Sequence, residues 1–398
     1  KADDYDGGAI YSSSESELEI FNSKFTGNTA YKDGGAIFTN GGAIFTNDGT
    51  VSVNNCTFDS NRAEGYLLPC YGGAIKGKNV EVHSCDFNNN FAENHGGAIY
   101  ATSVTIDNTV PSSFASNTAK KGEGGAIYTD YLNENIKYLT LYNNSAAIDN
   151  SDDGGAIYLN KENHVTFSHC SIVSNHCGDE GGAIYLDSTS SSISLINNII
   201  IANRAGDEGH VVFNKGNYDT INNNWWGDIN PSSDNGLLVE WKTFGSNVHH
   251  VDTDPLKSQL KIEDNPVGIN ETAVATYYFV KSDGSQFTGE LEAPVSFILP
   301  ENIIKESSGK TPNTVYIKFK GNKAGTYTIT ANLHGQMVSN KVTITDNEKV
   351  DPKLSIKVNN ITEGQKAVAV INANNTLNGK AEVKLNSSTE TYQVNIVN

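Results

Sequence analysis

Apolar and polar residues follow one repeating pattern through the first half of the chain. The segment Gly-Gly-Ala-Ile plus an aromatic residue recurs at steps of 24 to 31 residues, apart from one doubled copy. Copies begin at Gly7, Gly34, Gly41, Gly72, Gly96, Gly124, Gly154 and Gly181, with a degenerate copy at Gly209. A regular period of this length indicates a repeat protein.

The residues between the copies indicate which kind of repeat this is. Each unit carries a large apolar residue followed three positions later by Asn, at Asn28, Asn61, Asn90, Asn117, Asn144, Asn175 and Asn203. Short alternating segments such as Val51-Ser52-Val53 precede this motif, and no window shows a sustained helical period. The pattern predicts an all-β fold, a right-handed parallel β-helix of about eight coils.

Stacked coils place equivalent residues about 4.8 Å apart in ladders along the solenoid. The pattern predicts one buried ladder of isoleucines, Ile10, Ile75, Ile99, Ile127, Ile157 and Ile184. The Asn residues from Asn28 to Asn203 should form a second ladder at a separate corner, where their amides satisfy backbone groups.

The charge changes where the repeats stop. The net charge is −18, and residues 1–250 hold 13 basic and 30 acidic side chains against 15 and 16 in residues 251–398. The strongly acidic character of residues 1–250 argues against nucleic acid or an anionic membrane as a partner, because both require a basic surface. No run of 18 apolar residues is present, so the sequence contains no candidate membrane-spanning helix. We therefore expect no direct insertion of this segment into a membrane.

Three regions follow from these patterns. Residues 1–248 form the predicted solenoid, with Trp225 and Trp226 as a cap on its open end. Residues 256–346 carry six or seven short strands and predict an Ig-like β-sandwich, after a joint of non-repeat character. Residues 353–398 predict the start of a second Ig-like module, truncated at Asn398.

Two resemblances follow from these motifs. Gly-Gly-Ala-Ile paired with Phe-x-x-Asn, over residues 7 to 213, resembles the repeats of chlamydial polymorphic membrane proteins. The segment Asn-Asn-Asn-Trp-Trp-Gly-Asp-Ile-Asn-Pro at 222–231, followed by segments similar to bacterial Ig-like repeats, resembles adhesin-like surface proteins of methanogenic archaea. The resemblance implies an archaeal cell-surface adhesin with Ig-like stalk modules, and we expect an extracellular location, with leader and anchor outside this segment.

Glycosylation and cysteine chemistry bear on the same expectation. Six sequons fit an exported glycoprotein, at Asn55, Asn143, Asn270, Asn360, Asn374 and Asn386. The chain has five cysteines. Cys56 and Cys85 occupy equivalent positions on adjacent coils, where a disulfide is sterically feasible, but we favour buried free thiols because the column requires only a small apolar residue.

The sequence favours binding over catalysis. Many β-helix proteins cleave polysaccharides, and such a lyase or hydrolase requires clustered carboxylates with a strong base or a second carboxylate. The chain has only two arginines, Arg62 and Arg204, each directly after a ladder Asn at a repeat position. We therefore predict no catalytic residues and no enzyme, with a carbohydrate-active enzyme and a structural envelope spacer as the alternatives.

Two outward columns are the candidate sites. The residues before the paired glycines are doubly acidic in three successive coils, and we predict a Ca²⁺ site there or, failing that, a solvated acidic edge. The column after the isoleucine is aromatic and predicts either cross-strand packing or a platform for the surface glycan or protein of another cell. The metal candidates are Asp152, Asp153, Asp179, Glu180, Asp207 and Glu208, and the binding candidates are Tyr100, Tyr128, Tyr158 and Tyr185.

Overall fold

The computed structural model is all-β, with no helix in the residues that it describes. Those are residues 8–12, 17–30, 37–39, 49–65, 69–146, 151–228, 244–246, 252–290, 293–346, 354–358, 369–373, 379–384 and 391–396. Parallel stacked coils make up the repeat region, which confirms the predicted β-helix. Two antiparallel-rich sheets follow it.

Four parallel sheets form the walls of the solenoid in the described residues. The Ile sheet contains Ile10–Ser12, Leu18–Phe21, Ile37–Thr39, Thr50–Asn54, Ile75–His83, Ile99–Ile106, Ile127–Leu132, Ile157–Leu159, Ile184–Leu186, Val212–Asn214 and Phe244–Ser246. The Phe sheet contains Lys24–Thr26, Thr57–Asp59, Asp86–Asn88, Ser112–Ala115, Leu139–Tyr142, Ser171–Val173 and Ile199–Ile201. The Ala sheet contains Thr29–Ala30, Arg62–Ala63, Phe91–Ala92, Thr118–Ala119, Ser145–Ala146 and His176–Cys177. The fourth sheet contains Asn135–Lys137, His164–Ser168, Ser192–Ile196 and Asn217–Asn222.

The sheets correspond to about six complete turns in the described residues, fewer than the eight coils predicted. The difference arises at the C-terminal end of the repeat. The last two strands of the Ile sheet, Val212–Asn214 and Phe244–Ser246, are followed by no described strand of the Phe or Ala sheet.

The isoleucine ladder is confirmed along most of its length. Ile75, Ile99, Ile127, Ile157 and Ile184 are successive register partners and are all 0% exposed, whereas Ile10, in the first described coil, is partly exposed. Of the doubled copy, Ile37 pairs with both Ile10 and Ile75, so the first heptad is in register with both neighbours. The second heptad lies outside the described residues.

The Asn ladder occupies the corner between the Phe and Ala sheets. Each side-chain Nδ2 from Asn28 to Asn175 donates to Oδ1 of the next ladder Asn at 2.8 to 2.9 Å. The same Nδ2 groups from Asn61 onward donate to backbone carbonyls, as Asn117 does to Phe87 at 2.9 Å. This arrangement satisfies buried turn groups, as the sequence predicts.

The paired glycines permit close approach between coils. Gly96 has φ of +66°, a left-handed conformation that costs glycine little. A Cβ on Gly97 would lie 2.1 Å from the carbonyl oxygen of Gly125 in the next coil. A side chain at this corner would therefore force the coils apart.

A third ladder, which the sequence patterns did not reveal, runs along the cysteine column. Backbone N–H groups donate to the side chain of the next coil, from Cys56 to Cys85 Sγ at 3.3 Å and from Cys85 to Ser112 Oγ at 3.2 Å. Asn198 and Asn224 continue the column. The cysteines are buried free thiols, as favoured from the sequence.

Asp252 ends this third ladder. Its Oδ2 accepts from the backbone N–H of Asn224 and from Trp226 Nε1, each at 2.9 Å, and Asp252 is 5% exposed. Leu256 then forms a parallel bridge with Trp225. The division into domains stays a prediction, but the contacts of the last coil extend past residue 248, into the segment interpreted as a joint.

Two four-stranded sheets lie beyond the solenoid in the described residues. One contains Lys257–Glu263, Thr272–Val280, Ile303–Thr311 and Thr314–Gly321, and the other contains Val267–Gly268, Ser296–Ile298, Gly325–Leu333 and Gln336–Thr345. They share one core that includes Tyr277, Ile317 and Ile329. Two hairpins follow, Leu354–Val358 with Ala369–Ala373 and Gly379–Lys384 with Thr391–Ile396. Their assignment as Ig-like modules stays a prediction.

The same core joins this sandwich to the solenoid. Val173, Ile199 and Trp225 pack into it from the solenoid side. Trp225 is fully buried and meets Phe279 edge-on, with ring centroids 5.8 Å apart. The tryptophans therefore cover the end of the solenoid, one inside its core and one in the joint.

Candidate functional site

The aromatic column lies outside the solenoid core, on the outer face of the Ile sheet. The rings of Tyr100, Tyr128, Tyr158, Tyr185 and Phe213 stack face to face, with centroids 4.9 to 5.2 Å apart. The parallel register brings them together, since each is the Cα partner of the next. The stack forms its own small apolar cluster.

Stacking changes what the column can offer to a ligand. Tyr158 is 8% exposed and Tyr185 is 3% exposed, so the exposed platform predicted at these two residues is not formed. Each ring covers the face of its neighbours at the coil spacing, which leaves no flat face for a sugar. Burial raises the pKa of the Tyr185 hydroxyl to about 12 and that of Tyr158 further.

Tyr100 and Tyr128 lie at the less buried end of the stack. Tyr71 extends the stack beyond Tyr100, with centroids 4.6 Å apart, and Lys76 places its Nζ 5.0 Å from the Tyr71 ring. The imidazole of His95 lies 5.0 Å from the Tyr128 ring. This cationic and aromatic end is the part of the column that solvent reaches.

The acidic residues form two adjacent columns at the glycine corner. Backbone hydrogen bonds place Asp152, Asp179 and Asp207 one above another. Asp153 belongs to the neighbouring column, where its Oδ1 accepts from the backbone N–H of Glu180 at 3.0 Å. The structure thus stacks the predicted carboxylates along the axis, on three successive coils.

The pKa of Asp153 is raised to about 7, chiefly by burial and in smaller part by the carboxylates of Glu180 and Asp179, while the hydrogen bond from the Glu180 N–H opposes the rise. Burial likewise raises the pKa of Glu180 to about 7, with Asp179 and Glu208 as the next contributors. Part of the carboxylates at this corner is therefore protonated, and uncharged, near neutral pH.

The carboxylates do not converge on a point. Among the described residues, no group of three or more His, Cys, Asp or Glu side chains is arranged to hold a metal ion. The coil repeat spreads the acidic groups along the axis, and Asp153 directs one oxygen to the backbone. Calcium binding at the six predicted residues stays a prediction.

Arg62, one of the two arginines considered as possible bases, has a structural environment. Its guanidinium carbon lies 4.0 Å from the centre of the Phe91 ring in the next coil, and its Nη2 pairs with Glu64 at 2.8 Å. The position directly after the ladder Asn thus serves packing between coils.

Comparison with known proteins supports the repeat assignment. The Chlamydia polymorphic membrane protein repeat model matches residues 22–40, 84–102 and 111–130. A probable outer membrane protein, pmp6 of Chlamydia pneumoniae, is 37% identical over 84 residues, which are 20% of this chain and 6% of that protein. The chain thus spans a small part of the length of this relative, and the similarity covers repeats.

Similar solved structures come from a surface-layer protein, SbsC. Its domains 5–6 match 35% of this chain and 99% of that structure at 14% identity and a TM-score of 0.18. Its domains 1–6 match 37% of this chain and 26% of that structure at 16% identity and a TM-score of 0.21. Scores this low do not establish a shared fold. The described residues also contain no helix long and apolar enough to cross a membrane.

Proposed function

We propose that this chain is the binding part of a cell-surface adhesin. The β-helix binds a partner cell, glycan or surface protein without catalysis, and the sandwich and the following hairpins act as its stalk. The observation that carries the proposal is the stack of repeats similar to those of chlamydial polymorphic membrane proteins. The outer membrane location in the name of the C. pneumoniae relative supports display at the cell surface.

The solvent-accessible end of the aromatic column is the proposed contact region of the β-helix. Tyr100 and Tyr128 lie there beside Tyr71, Lys76 and His95. Aromatic edges with a neighbouring ammonium and imidazole suit a polar, hydroxyl-rich partner. The buried rings of the same stack hold this end rigid, which lowers the entropic cost of binding.

A non-catalytic role fits how the charged groups of the solenoid are used. Arg62 packs on Phe91, and Asp153 binds the backbone of Glu180. Each contact joins one coil to the next and serves stacking. A polysaccharide-cleaving enzyme would instead require an acid and a base placed on opposite sides of one bond.

The test is binding of the fluorescently labelled chain to whole cells, measured by flow cytometry. We expect saturable binding that falls when Tyr100 and Tyr128 are both changed to Ala. The matched control is Tyr131→Ala, which removes a 49% exposed tyrosine from the same strand as Tyr128. Periodate and protease treatment of the cells separates a glycan partner from a protein partner.

A second arm addresses the enzyme alternative. The chain is incubated with a panel of acidic and neutral polysaccharides, and new reducing ends and unsaturated products are measured. Depolymerisation that the chain catalyses would contradict the proposal. Absence of saturable cell binding would favour a structural envelope spacer.

A further inference from the structure

A cleft separates the outer surface of the Phe sheet from the sandwich. Its volume is about 930 Å³, and Tyr142 and Ser171 line it from the solenoid while Phe297, Lys305 and His334 line it from the sandwich. A smaller pocket of about 320 Å³ shares Ala293, Lys310 and Val315 with it. The larger volume lies within the range of about 300–1,000 Å³ of ligand sites in proteins.

Contacts on both sides hold the walls of the cleft. Trp225 is buried in the core shared by the solenoid and the sandwich. At the smaller pocket, the Tyr138 hydroxyl of the solenoid donates to Glu290 Oε2 at 3.1 Å. The cleft is thus a preformed space between two joined units, which limits the ordering cost of filling it.

The sandwich wall is basic in a chain that is otherwise strongly acidic. Residues 303–323 contain five lysines and one glutamate, while the whole chain has a net charge of −18. Lys305 and Lys310 of this segment are exposed and line the cleft. The one glutamate, Glu306, pairs with Lys320 at 3.4 Å. Two ammonium groups facing a cleft favour an anionic ligand.

The uncharged lining suits a sugar. Tyr142 is 45% exposed, so its ring offers apolar surface, and the hydroxyls of Thr140 and Ser171 stand on the same wall. On the sandwich wall, Nε2 of His334 is buried without a hydrogen-bond partner among the described residues. Burial also lowers the pKa of His334, which favours a neutral ring. An unpaired buried nitrogen is costly until a ligand hydroxyl or carboxyl meets it.

We propose that this cleft binds an acidic oligosaccharide. The ring of Tyr142 packs on a pyranose, Lys305 and Lys310 pair with its carboxylates, and His334 Nε2 hydrogen-bonds to a hydroxyl. The choice of a glycan rests on the proposed surface-binding function, whereas the charge preference rests on the lysines. The site lies at the joint and is separate from the aromatic column.

The experiment uses oligogalacturonate as probe, with cello-oligosaccharide of equal length as its uncharged counterpart. We expect calorimetry to show binding of oligogalacturonate that weakens with salt, and no binding of the neutral probe. Lys305→Gln with Lys310→Gln should weaken binding about tenfold. Tyr142→Ala should weaken it without changing its salt dependence.

The matched control changes two lysines outside the cleft. Lys318→Gln with Lys323→Gln removes the same charge from the same exposed segment. If the control and the cleft variant lose equal affinity for oligogalacturonate, net charge alone explains the effect and the proposal is overturned. Equal binding of the neutral probe, or tighter binding of poly-glutamate than of oligogalacturonate, would also overturn it.

A measurement on the unaltered chain makes the test independent of variant folding. Acetylation of lysines is followed by mass spectrometry with and without saturating oligogalacturonate. We expect protection of Lys305 and Lys310 and none at Lys318, and uniform protection or none would overturn the proposal. The two proposals can fail separately. If oligogalacturonate does not bind the unaltered chain, this site is refuted. If the cleft variant then still binds cells, the adhesin proposal stands.

Discussion

The raised pKa of Asp153 makes the stability of the solenoid depend on pH. Its folded-state pKa is about 7, against 3.8 for an unperturbed aspartate side chain, chiefly because of burial. A group with a raised folded-state pKa contributes stability that is complete below pH 3.8 and is lost as the pH rises through about 7. The free energy of unfolding should therefore fall between these values.

Asp153→Asn isolates this effect. The amide retains an Oδ1 that accepts from the backbone N–H of Glu180, now at 3.0 Å, and it removes the charge. The full shift corresponds to about 4 kcal/mol at 1.36 kcal/mol per pKa unit. Because Asp153 is partly exposed, solvent screening reduces this to about 1–2 kcal/mol. We expect that gain at pH 8 and almost none at pH 4.

The assay is chemical denaturation followed by circular dichroism at pH 4, 6 and 8 and constant ionic strength. The control is Asp219→Asn, which makes the same charge change at an exposed residue of the fourth sheet and should alter stability by less than about 0.5 kcal/mol. The reasoning is refuted if Asp153→Asn is no more stable than the unaltered chain at pH 8. It is also refuted if the variant gains equally at pH 4.

Three further outcomes follow from the ladders and the acidic corner. Asn117→Ala should lower the free energy of unfolding by about 1–3 kcal/mol, because it leaves the Asn90 N–H and a carbonyl without partners; an unchanged denaturation midpoint would contradict this. Millimolar Ca²⁺ should raise the unfolding temperature relative to chelator at matched ionic strength, and Asp153→Asn should diminish the rise. No change in either protein would identify the corner as a solvated charged edge. Cys85, whose pKa burial raises to about 12, should resist alkylation until denaturant unfolds the chain, and rapid labelling of the native chain would contradict its burial.

The two main ladders could be predicted because a coil repeat converts sequence spacing into contact. Ile99 and Ile127 hold the same place in two copies of one motif, and the structure pairs them directly. The third ladder, along the cysteine column, was harder to recognise because its residue type changes from Cys85 through Ser112 to Asn198. What recurs there is a small side chain able to accept a hydrogen bond. The signal was present in Asn198, which stands two residues before Ile200 as Cys85 does before Phe87.

The aromatic column shows where alternation along a strand stops being informative. Alternation predicts that Tyr158 points away from the core, and it does, yet the residue is 8% exposed. Its burial comes from the rings above and below, 5.1 and 4.9 Å away. The direction in which a side chain points is set by its own strand, whereas the exposure of that side chain also depends on the neighbouring coils.

Regular stacking has a consequence for where this protein can bind ligands. In an unbroken column each side chain contacts its equivalent in the next coil, as in the Asn ladder and the tyrosine stack. The ring faces and hydrogen-bonding groups of such a column are therefore occupied and are not available to a ligand. Ligand-facing chemistry then concentrates where the repeat is interrupted. The joint is such a place, because Tyr142 and Lys305 meet across a cleft although they are far apart in the chain. No sequence period relates the solenoid to the sandwich. The pair is brought together by contacts at the joint, among them the packing of Trp225 against Phe279 and the hydrogen bond from Tyr138 to Glu290.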